Sequence, residues 1–228
     1  APHEKTPLYV LRSAPPDPAF APAMEWILLA DAVPQGRRLA EAWQRAAEGG
    51  LGPQRRPFKL RQWLSLAPDG RPAEKPGPWR LGQCVWPCEN PEGTPCTLQF
   101  RAPLRLRRRG QLIERPTFAD LVVAAARRVG SFLPPAQTPA WDAIEGELLN
   151  LARQTPEEPW RGDRLDLVRY SGRQRRELDL HGVCGSLALP EGPGPLWPLL
   201  AAASWLHLGK GTVMGMGQPN IVARLSES

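Results

Sequence analysis

A glycine-rich stretch near the C-terminal end constrains this chain more than any other feature. Residues 206–217 read LHLGKGTVMGMG, with glycines at positions 209, 211, 215 and 217. Glycine adopts positive φ and lets other backbone approach closely, so such a stretch forms either a tight structural turn or a cradle of N–H groups around an anion. It is not a Walker loop, in which Gly-Lys is followed directly by Ser or Thr at the start of a helix. Both readings, turn and phosphate cradle, remain open from the residues alone.

The segments around this stretch predict an α+β fold for the second half of the chain. Apolar residues alternate with polar ones over 98–106, 165–170 and 178–189, which predicts strands, and a last strand is expected at 221–225. Helical spacing predicts helices at 117–129, 141–153 and 196–206, the first of them capped by Thr117 and Asp120. The resulting order, β-α-β-β-α-β with one inserted helix, is that of a ferredoxin-like domain, which also underlies the RNA-recognition motif.

The first half is less regular. The spacing predicts a strand at 25–30, a helix at 36–48 stopped by Gly49-Gly50, and a strand at 58–66, followed by a proline- and glycine-rich stretch over 67–96. We therefore divide the chain into residues 1–96, an incomplete or divergent ferredoxin-like domain with a linker, and residues 97–228, a complete C-terminal ferredoxin-like domain carrying the loop 209–217.

Arginine dominates the positive charge. Of 29 basic residues only four are lysines, and the formal net charge is +6. Arginine forks onto phosphates and stacks on bases, which favours nucleic acid as a partner, although a GC-rich genome also raises the arginine content. Two runs concentrate the charge: Arg105–Arg109, and Arg169–Arg176 around Tyr170. A solvated charged face is the alternative for each run.

Other site classes find less support. No apolar run is long enough to span a membrane, so a membrane protein is not expected. Four cysteines do not make a disulfide framework, and free thiols in the cytoplasm are the expectation. Cys84, Cys88 and Cys96 have spacing compatible with zinc, but no fourth ligand is evident. We predict no metal and no cofactor.

The stretch Val168–Val222 resembles the CRISPR repeat-processing endoribonucleases of the RAMP superfamily. Those proteins end with a strand pair, a helix carrying L-H-x-G-K, a loop T-x-x-G-x-G and a final strand, which correspond here to Trp205–Gly217 and the segments before it. The likeness extends upstream to Phe100–Leu106, which is similar to an F-x-[TA]-P-L-R-L strand, and to Gly50–Leu60. The family's opening strand and helix, which often carry catalytic residues, have no counterpart in this sequence.

The resemblance implies cleavage of precursor CRISPR RNA without metal, by attack of a 2′-hydroxyl that leaves a 2′,3′-cyclic phosphate. It also implies that the repeat hairpin stays bound and that other CRISPR effector subunits are partners. A non-catalytic crRNA-binding subunit of such a complex is the alternative. Cleavage needs an acid and a base, and of the three histidines His207 lies beside the loop, whereas His3 and His181 are less suited.

The predicted site therefore contains two sets of residues. The catalytic candidates are His207 and Tyr170. The RNA-binding candidates lie in the loop and in the two arginine runs: Gly209, Lys210, Gly211, Thr212, Gly215, Gly217, Arg105, Arg107, Arg108, Arg169, Arg173, Arg175 and Arg176.

Overall fold

The structure, a computed structural model, describes residues 7–13, 24–52, 54–74, 77–171 and 175–223. Its elements in chain order are β1 (Tyr9–Ser13), β2 (Met24–Leu28), α1 (Gly36–Glu48), β3 (Cys96–Leu104), β4 (Arg107–Arg108), β5 (Gln111–Leu112), α2 (Phe118–Gly130), α3 (Thr138–Gln154), β6 (Arg161–Leu165), β7 (Val168–Ser171), β8 (Arg176–Asp179), β9 (Gly182–Leu189), α4 (Trp197–Leu206) and β10 (Asn220–Ala223).

The chain divides into two compact units. The larger one contains the described residues up to Ile27 together with those from Trp86 onward, and the smaller one is Leu28–Val85. Strand β1 thus belongs to the same unit as the second half of the chain.

The smaller unit is built on helix α1, which confirms the helix predicted at 36–48. It ends where predicted: Gly50 has φ +97°, and a Cβ there would lie 2.3 Å from the carbonyl oxygen of Arg55. The strand predicted at 58–66 is wrong, because residues 58–65 form no strand pairing in the described chain and only Leu66 forms a bridge, to Pro72. Phe58 and Leu64 are exposed.

The larger unit is centred on a four-stranded antiparallel sheet with the order β10-β3-β9-β6. Its central pair places Leu98 opposite Leu187, and Ile221 of β10 lies on the other side of Leu98. Helix α2 packs against both α3 and α4. The largest fully buried side chains come from β3, α2, β9 and α4 and the turns that flank it: Leu98, Phe100, Leu104, Phe118, Leu121, Leu187, Leu189, Leu196, Leu200, Leu206, His207 and Leu208.

The three helices predicted in this half are confirmed with small shifts at their ends. Thr117 caps α2 as expected: its hydroxyl accepts the N–H of Asp120, and the Asp120 carboxylate accepts the N–H of Thr117. Helix α4 is apolar on all sides and buries seven of its ten residues, which is typical of a helix inside a core.

Residues 161–189 differ from the predicted strand pair 165–170 and 178–189. They form two nested strand pairs: β6 pairs with β9 in the main sheet, and between them β7 pairs with β8 in a separate two-stranded ribbon, here called the arginine arm (168–179). The sequence of β6 is RGDRL and all five residues are exposed. An exposed edge strand shows no apolar alternation, so the sequence pattern did not predict β6. The predicted strand 165–170 instead overlaps β7 of the arm.

Candidate nucleic-acid interface

The glycine loop follows directly from the end of helix α4. His207 closes the helix with φ 59°, and its N–H donates to the carbonyl of Ala203. The loop then returns on itself, since the N–H of Leu208 donates to the carbonyl of Gly217 at 2.8 Å. Two further bonds fasten it to the end of β3: the N–H of Gly217 donates to Pro103 and the N–H of Lys210 to Arg105, at 3.0 and 3.1 Å.

Two of the four glycines are required by close backbone contacts. A Cβ at Gly217 would lie 1.9 Å from the carbonyl oxygen of Leu208, and one at Gly209 would lie 2.4 Å from that of Arg105. Both residues also have φ above +70°, a region that disfavours other residues. The glycines therefore serve first to let three backbone segments pack together.

His207 is completely buried beneath this loop. Its Nδ1 lies 3.1 Å from the carbonyl oxygen of Met216, and its Nε2 has no hydrogen-bond partner among the described residues. Nδ1–H therefore donates to Met216, and the unprotonated Nε2 faces the interior. Burial lowers the pKa of His207 to about 3, and the charges of Arg12 and Arg128 act in the same direction.

Two arginines that the sequence analysis did not single out lie close to His207, and one of them bonds to the loop. Arg128 of α2 donates from Nε to the carbonyl of Leu206 at 3.1 Å and from its guanidinium to the Thr212 hydroxyl at 3.2 Å. Burial lowers the pKa of Arg128 to about 10. Arg12 of β1 lies 4.5 Å from the ring centroid of Trp205 and pairs with Glu25.

A signal for Arg128 was present in the sequence. It lies three and seven residues after Ala125 and Leu121, which are both on the buried face of α2. An arginine at such a position needs buried partners for its guanidinium.

Little of the loop is open to a ligand. Gly209 and Lys210 are exposed, whereas Thr212, Met216 and Gly217 are buried, and Gly211 and Gly215 are half-buried. Several N–H groups of the loop already donate to carbonyls of the protein, namely those of Lys210, Met214, Gly215, Met216 and Gly217. The loop is therefore chiefly a packed structural turn that presents one exposed cation, Lys210.

The arginine run 105–109 begins beside Lys210, because Arg105 forms a parallel bridge with Gly209. The side chain of Arg105 is only 13% exposed, and those of Arg107 and Arg108 are 37% and 68% exposed. Arg105 and Arg107 each lie 3.9 Å from the carboxylate of Asp179. The run thus becomes steadily more accessible with distance from the glycine loop.

The second arginine run lies on the arm. Arg169 is on β7 and Arg176 on β8, Arg175 is exposed in the turn, and Arg173 lies outside the described residues. Tyr170 is 64% exposed and is paired in register with Glu177. Tyr170 and His207, the two predicted catalytic residues, are thus in opposite environments, one on an exposed ribbon and the other in the core.

His181 lies where the arm rejoins the sheet. Its Nε2 is 3.1 Å from Asp179, and its Nδ1 is 3.1 Å from Asp166 without hydrogen-bond alignment. The backbone N–H of His181 also donates to Asp179, which together with the neighbouring cations holds the pKa of that carboxyl below its usual value. Both ring nitrogens thus face carboxylates at the base of the arm.

The described residues contain no group of three or more His, Cys, Asp or Glu side chains able to hold a metal ion. The four cysteines are free thiols, and burial raises the pKa of Cys84 to about 11. None of the helices in the described ranges combines the length and apolarity needed to cross a bilayer.

Comparison with known proteins identifies the family. The model of the CRISPR-associated endoribonuclease Cas6 family matches residues 98–219, just over half of the chain. The solved "Cas6 (TTHA0078) product complex" superimposes with a TM-score of 0.55 at 19% identity, over 98% of this chain and 84% of that chain. Thermus thermophilus Cas6 (TTHB231) superimposes with a TM-score of 0.54 at 17% identity, over 97% and 81%. No curated protein sequence matches.

These superpositions show a common mixed α/β fold with antiparallel sheets. The matched residues 98–219 include the glycine loop, the run 105–109 and the arginine arm. The chain therefore belongs to the Cas6 family, the CRISPR-associated endoribonucleases that process CRISPR repeat RNA.

Proposed function

We propose that this protein binds the hairpin of a CRISPR repeat and cleaves precursor crRNA without a metal ion. The observation that carries this is the exposed Lys210 next to the run 105–109, within the segment that matches the Cas6 family. The solved relative is named as a product complex, which supports RNA as the ligand of this fold.

The architecture proposed for the larger unit is ferredoxin-like. Counting only the sheet strands β3, β6, β9 and β10 as first to fourth, their order in the sheet is fourth, first, third, second. Helix α2 follows the first strand and α4 the third, as a β-α-β-β-α-β unit requires. The predicted N-terminal ferredoxin-like domain and the boundary at residues 96 and 97 remain predictions.

The proposed reaction is an internal transfer at phosphorus. A base takes the proton of the 2′-hydroxyl, O2′ bonds to the adjacent phosphorus, and the P–O5′ bond breaks as O5′ receives a proton from an acid. The products are a 2′,3′-cyclic phosphate and a 5′-hydroxyl. Charge on the phosphorane oxygens requires cations at the site, and Lys210 and Arg107 are exposed enough to supply them.

Of the two catalytic candidates, Tyr170 is the one that bound RNA can reach in this conformation. The imidazole of His207 has no exposed atom and its pKa is lowered to about 3, so it is neutral near pH 7 and shielded from substrate. We assign to His207 the positioning of the loop through Met216. Lys210, Arg107, Arg108 and the arginines of the arm are the proposed phosphate contacts.

One observation favours the alternative function, a crRNA-binding subunit that does not cut. The imidazole closest to the loop is buried, and both nitrogens of His181 face carboxylates. A protein with this surface holds RNA even without an efficient acid and base. In either case we propose that the repeat hairpin remains bound and that other CRISPR effector subunits are partners in the cytoplasm.

A single-turnover assay in EDTA distinguishes the two functions. The substrate is the repeat RNA of the protein's own CRISPR locus, and the matched control carries a 2′-deoxy nucleotide at the cleavage position. Cleavage of the first RNA and not of the second establishes the enzyme and its internal nucleophile. Tight binding of both without products assigns the non-catalytic role, and absence of salt-dependent binding contradicts both functions.

A further inference from the structure

The larger unit contains a second basic surface, a groove of about 690 Å³ along helix α2. Its floor is α2, from Ala119 to Arg127. One wall is the short hairpin formed by β4 and β5, and the other is the end of α3 with the residues that follow it. We name it the α2 groove, and it is distinct from the exposed part of the glycine loop, which does not line it.

The charge of the α2 groove is strongly positive. Five arginines line it, against two carboxylates, Asp120 and Glu157; the arginines are Arg107, Arg108, Arg109, Arg127 and Arg153. Both carboxylates are already engaged at the start of α2: Asp120 in the helix cap and with Arg108, Glu157 with the N–H of Phe118. These two carboxylates therefore do little to neutralise the other arginines of the groove.

Three of the arginines are free to bind a ligand. Arg109, Arg127 and Arg153 are exposed, and none of them forms an ion pair with a described carboxylate. They come from three different elements, the β4–β5 turn, α2 and α3. Guanidinium groups converging from separate elements on one groove recognise a chain of phosphates better than a single anion.

The lining also indicates which kind of chain fits. The groove has an apolar floor with small residues such as Ala124 and Ala152, and no aromatic side chain lines it. The groove thus offers no aromatic platform for bases, and arginines bind phosphates, so we expect contacts mainly to the RNA backbone with little sequence preference.

The position of the groove links it to the glycine loop. The carbonyl of Arg105 accepts the N–H of Lys210, and Arg109, four residues later, lines the groove. Four residues span at most about 13 Å. A strand leaving a duplex bound at Lys210 therefore reaches the groove along the arginine run.

From these observations we infer that the α2 groove binds the single-stranded RNA that flanks the repeat hairpin, through its phosphates. The inference rests on the proposed function and extends it, because it assigns a second part of the same RNA to a surface separate from the glycine loop.

The test compares RNA ligands with and without a flank. One is the repeat hairpin alone, and two others carry about ten uridines on the 5′ or the 3′ side, a length within the range that single-strand sites occupy. We expect the wild-type protein to bind one flanked RNA roughly 10-fold more tightly than the hairpin, as a few added phosphate contacts would give. The variant Arg127→Ala/Arg153→Ala should lose this gain and still bind the hairpin normally.

Matched variants separate charge from structure. Arg127→Lys/Arg153→Lys should keep most of the gain, and Arg161→Ala, which removes an exposed arginine outside the groove, should keep all of it. In Arg127→Ala/Arg153→Ala the salt dependence of binding to the flanked RNA should flatten by about 1.4 in log–log slope. Thermal denaturation verifies that this variant is folded.

The outcomes distinguish this inference from the proposed function. Equal affinity of the wild-type protein for flanked and unflanked RNA overturns the inference alone, as does a double variant that binds flanked RNA like the wild type. A double variant that loses binding to polyglutamate but not to RNA also overturns it, because the groove then takes an acidic protein segment. A wild-type protein that binds no repeat RNA contradicts the proposed function itself.

Discussion

The glycine loop and the arginine run 105–109 lie side by side, yet they contribute in opposite ways. In the loop, most of the residues expected to touch RNA are buried or bonded to the protein, as Thr212 is to Arg128 and Gly217 to Pro103. In the arginine run, exposure of the charged side chains increases from Arg105 to Arg108. The comparison indicates that the glycines build the support, whereas the exposed cations beside it make the contact.

The sharpest test of the support concerns Gly217. Gly217→Ala should lower the free energy of unfolding by at least ~3 kcal/mol, because its Cβ would lie 1.9 Å from the carbonyl oxygen of Leu208. Gly110→Ala is the matched control: Gly110 has φ +83° but nothing lies within 4 Å of its Cβ, so it should lose only about 1 kcal/mol. Urea denaturation measures both losses of stability. Equal losses would show that the positive φ alone, and not the contact with Leu208, destabilises the variants.

The next effect separates two neighbouring arginines. Arg128→Ala should cost about 2–3 kcal/mol of stability, because the Leu206 carbonyl and the Thr212 hydroxyl lose their donor in a buried site. Arg127→Ala should stay within about 0.5 kcal/mol, since that side chain is exposed. If the two variants unfold at the same urea concentration, Arg128 does not hold the loop.

His207 provides a test through pH. Its pKa is about 3 in the folded protein, below the ordinary 6.5, so the unfolded chain binds the extra proton as pH falls below 6.5. Its contribution to stability is therefore present above pH 6.5 and is lost as pH falls toward 3, by up to about 1.4 kcal/mol per pH unit. His207→Gln should be less stable at pH 7.5 and should lack this part of the slope. Denaturation between pH 7.5 and 4.5 measures it, and parallel profiles for the two proteins would show that His207 is accessible to protons.

At Lys210 we expect the smallest effect on stability together with a specific effect on RNA binding. Its side chain is exposed, so Lys210→Ala should leave stability unchanged while weakening hairpin binding by roughly 10-fold and reducing the salt slope by about 1. Arg161→Ala serves again as the control for loss of one exposed cation. Unchanged affinity at several salt concentrations would remove the loop from the RNA interface and leave the arginine run and the arm.

Local patterns were sufficient for the helices and for the central strands. The Thr117–Asp120 cap, the glycine stop after α1 and the apolar helix before the loop all act within a few residues, and the structure confirms each of them. The segment 58–66 and strand β6 show where local sequence patterns fail to predict strands. The first has an alternating pattern but no partner strand in the described chain, and the second has partners but no pattern, because strand formation depends on what lies alongside.

The same distinction between local pattern and tertiary packing applies to the candidate site. The sequence by itself determined where the chain must turn on glycine, which helix precedes that turn, and where the positive charge concentrates, because these depend on residue type and near neighbours. Only the tertiary structure decided which of these groups a ligand can reach: it buried His207 and Thr212, turned Arg128 inward and left Arg127 outside, and placed Arg105 against the loop. Burial depends on how all the elements pack together, and for that reason it cannot be predicted from any single segment.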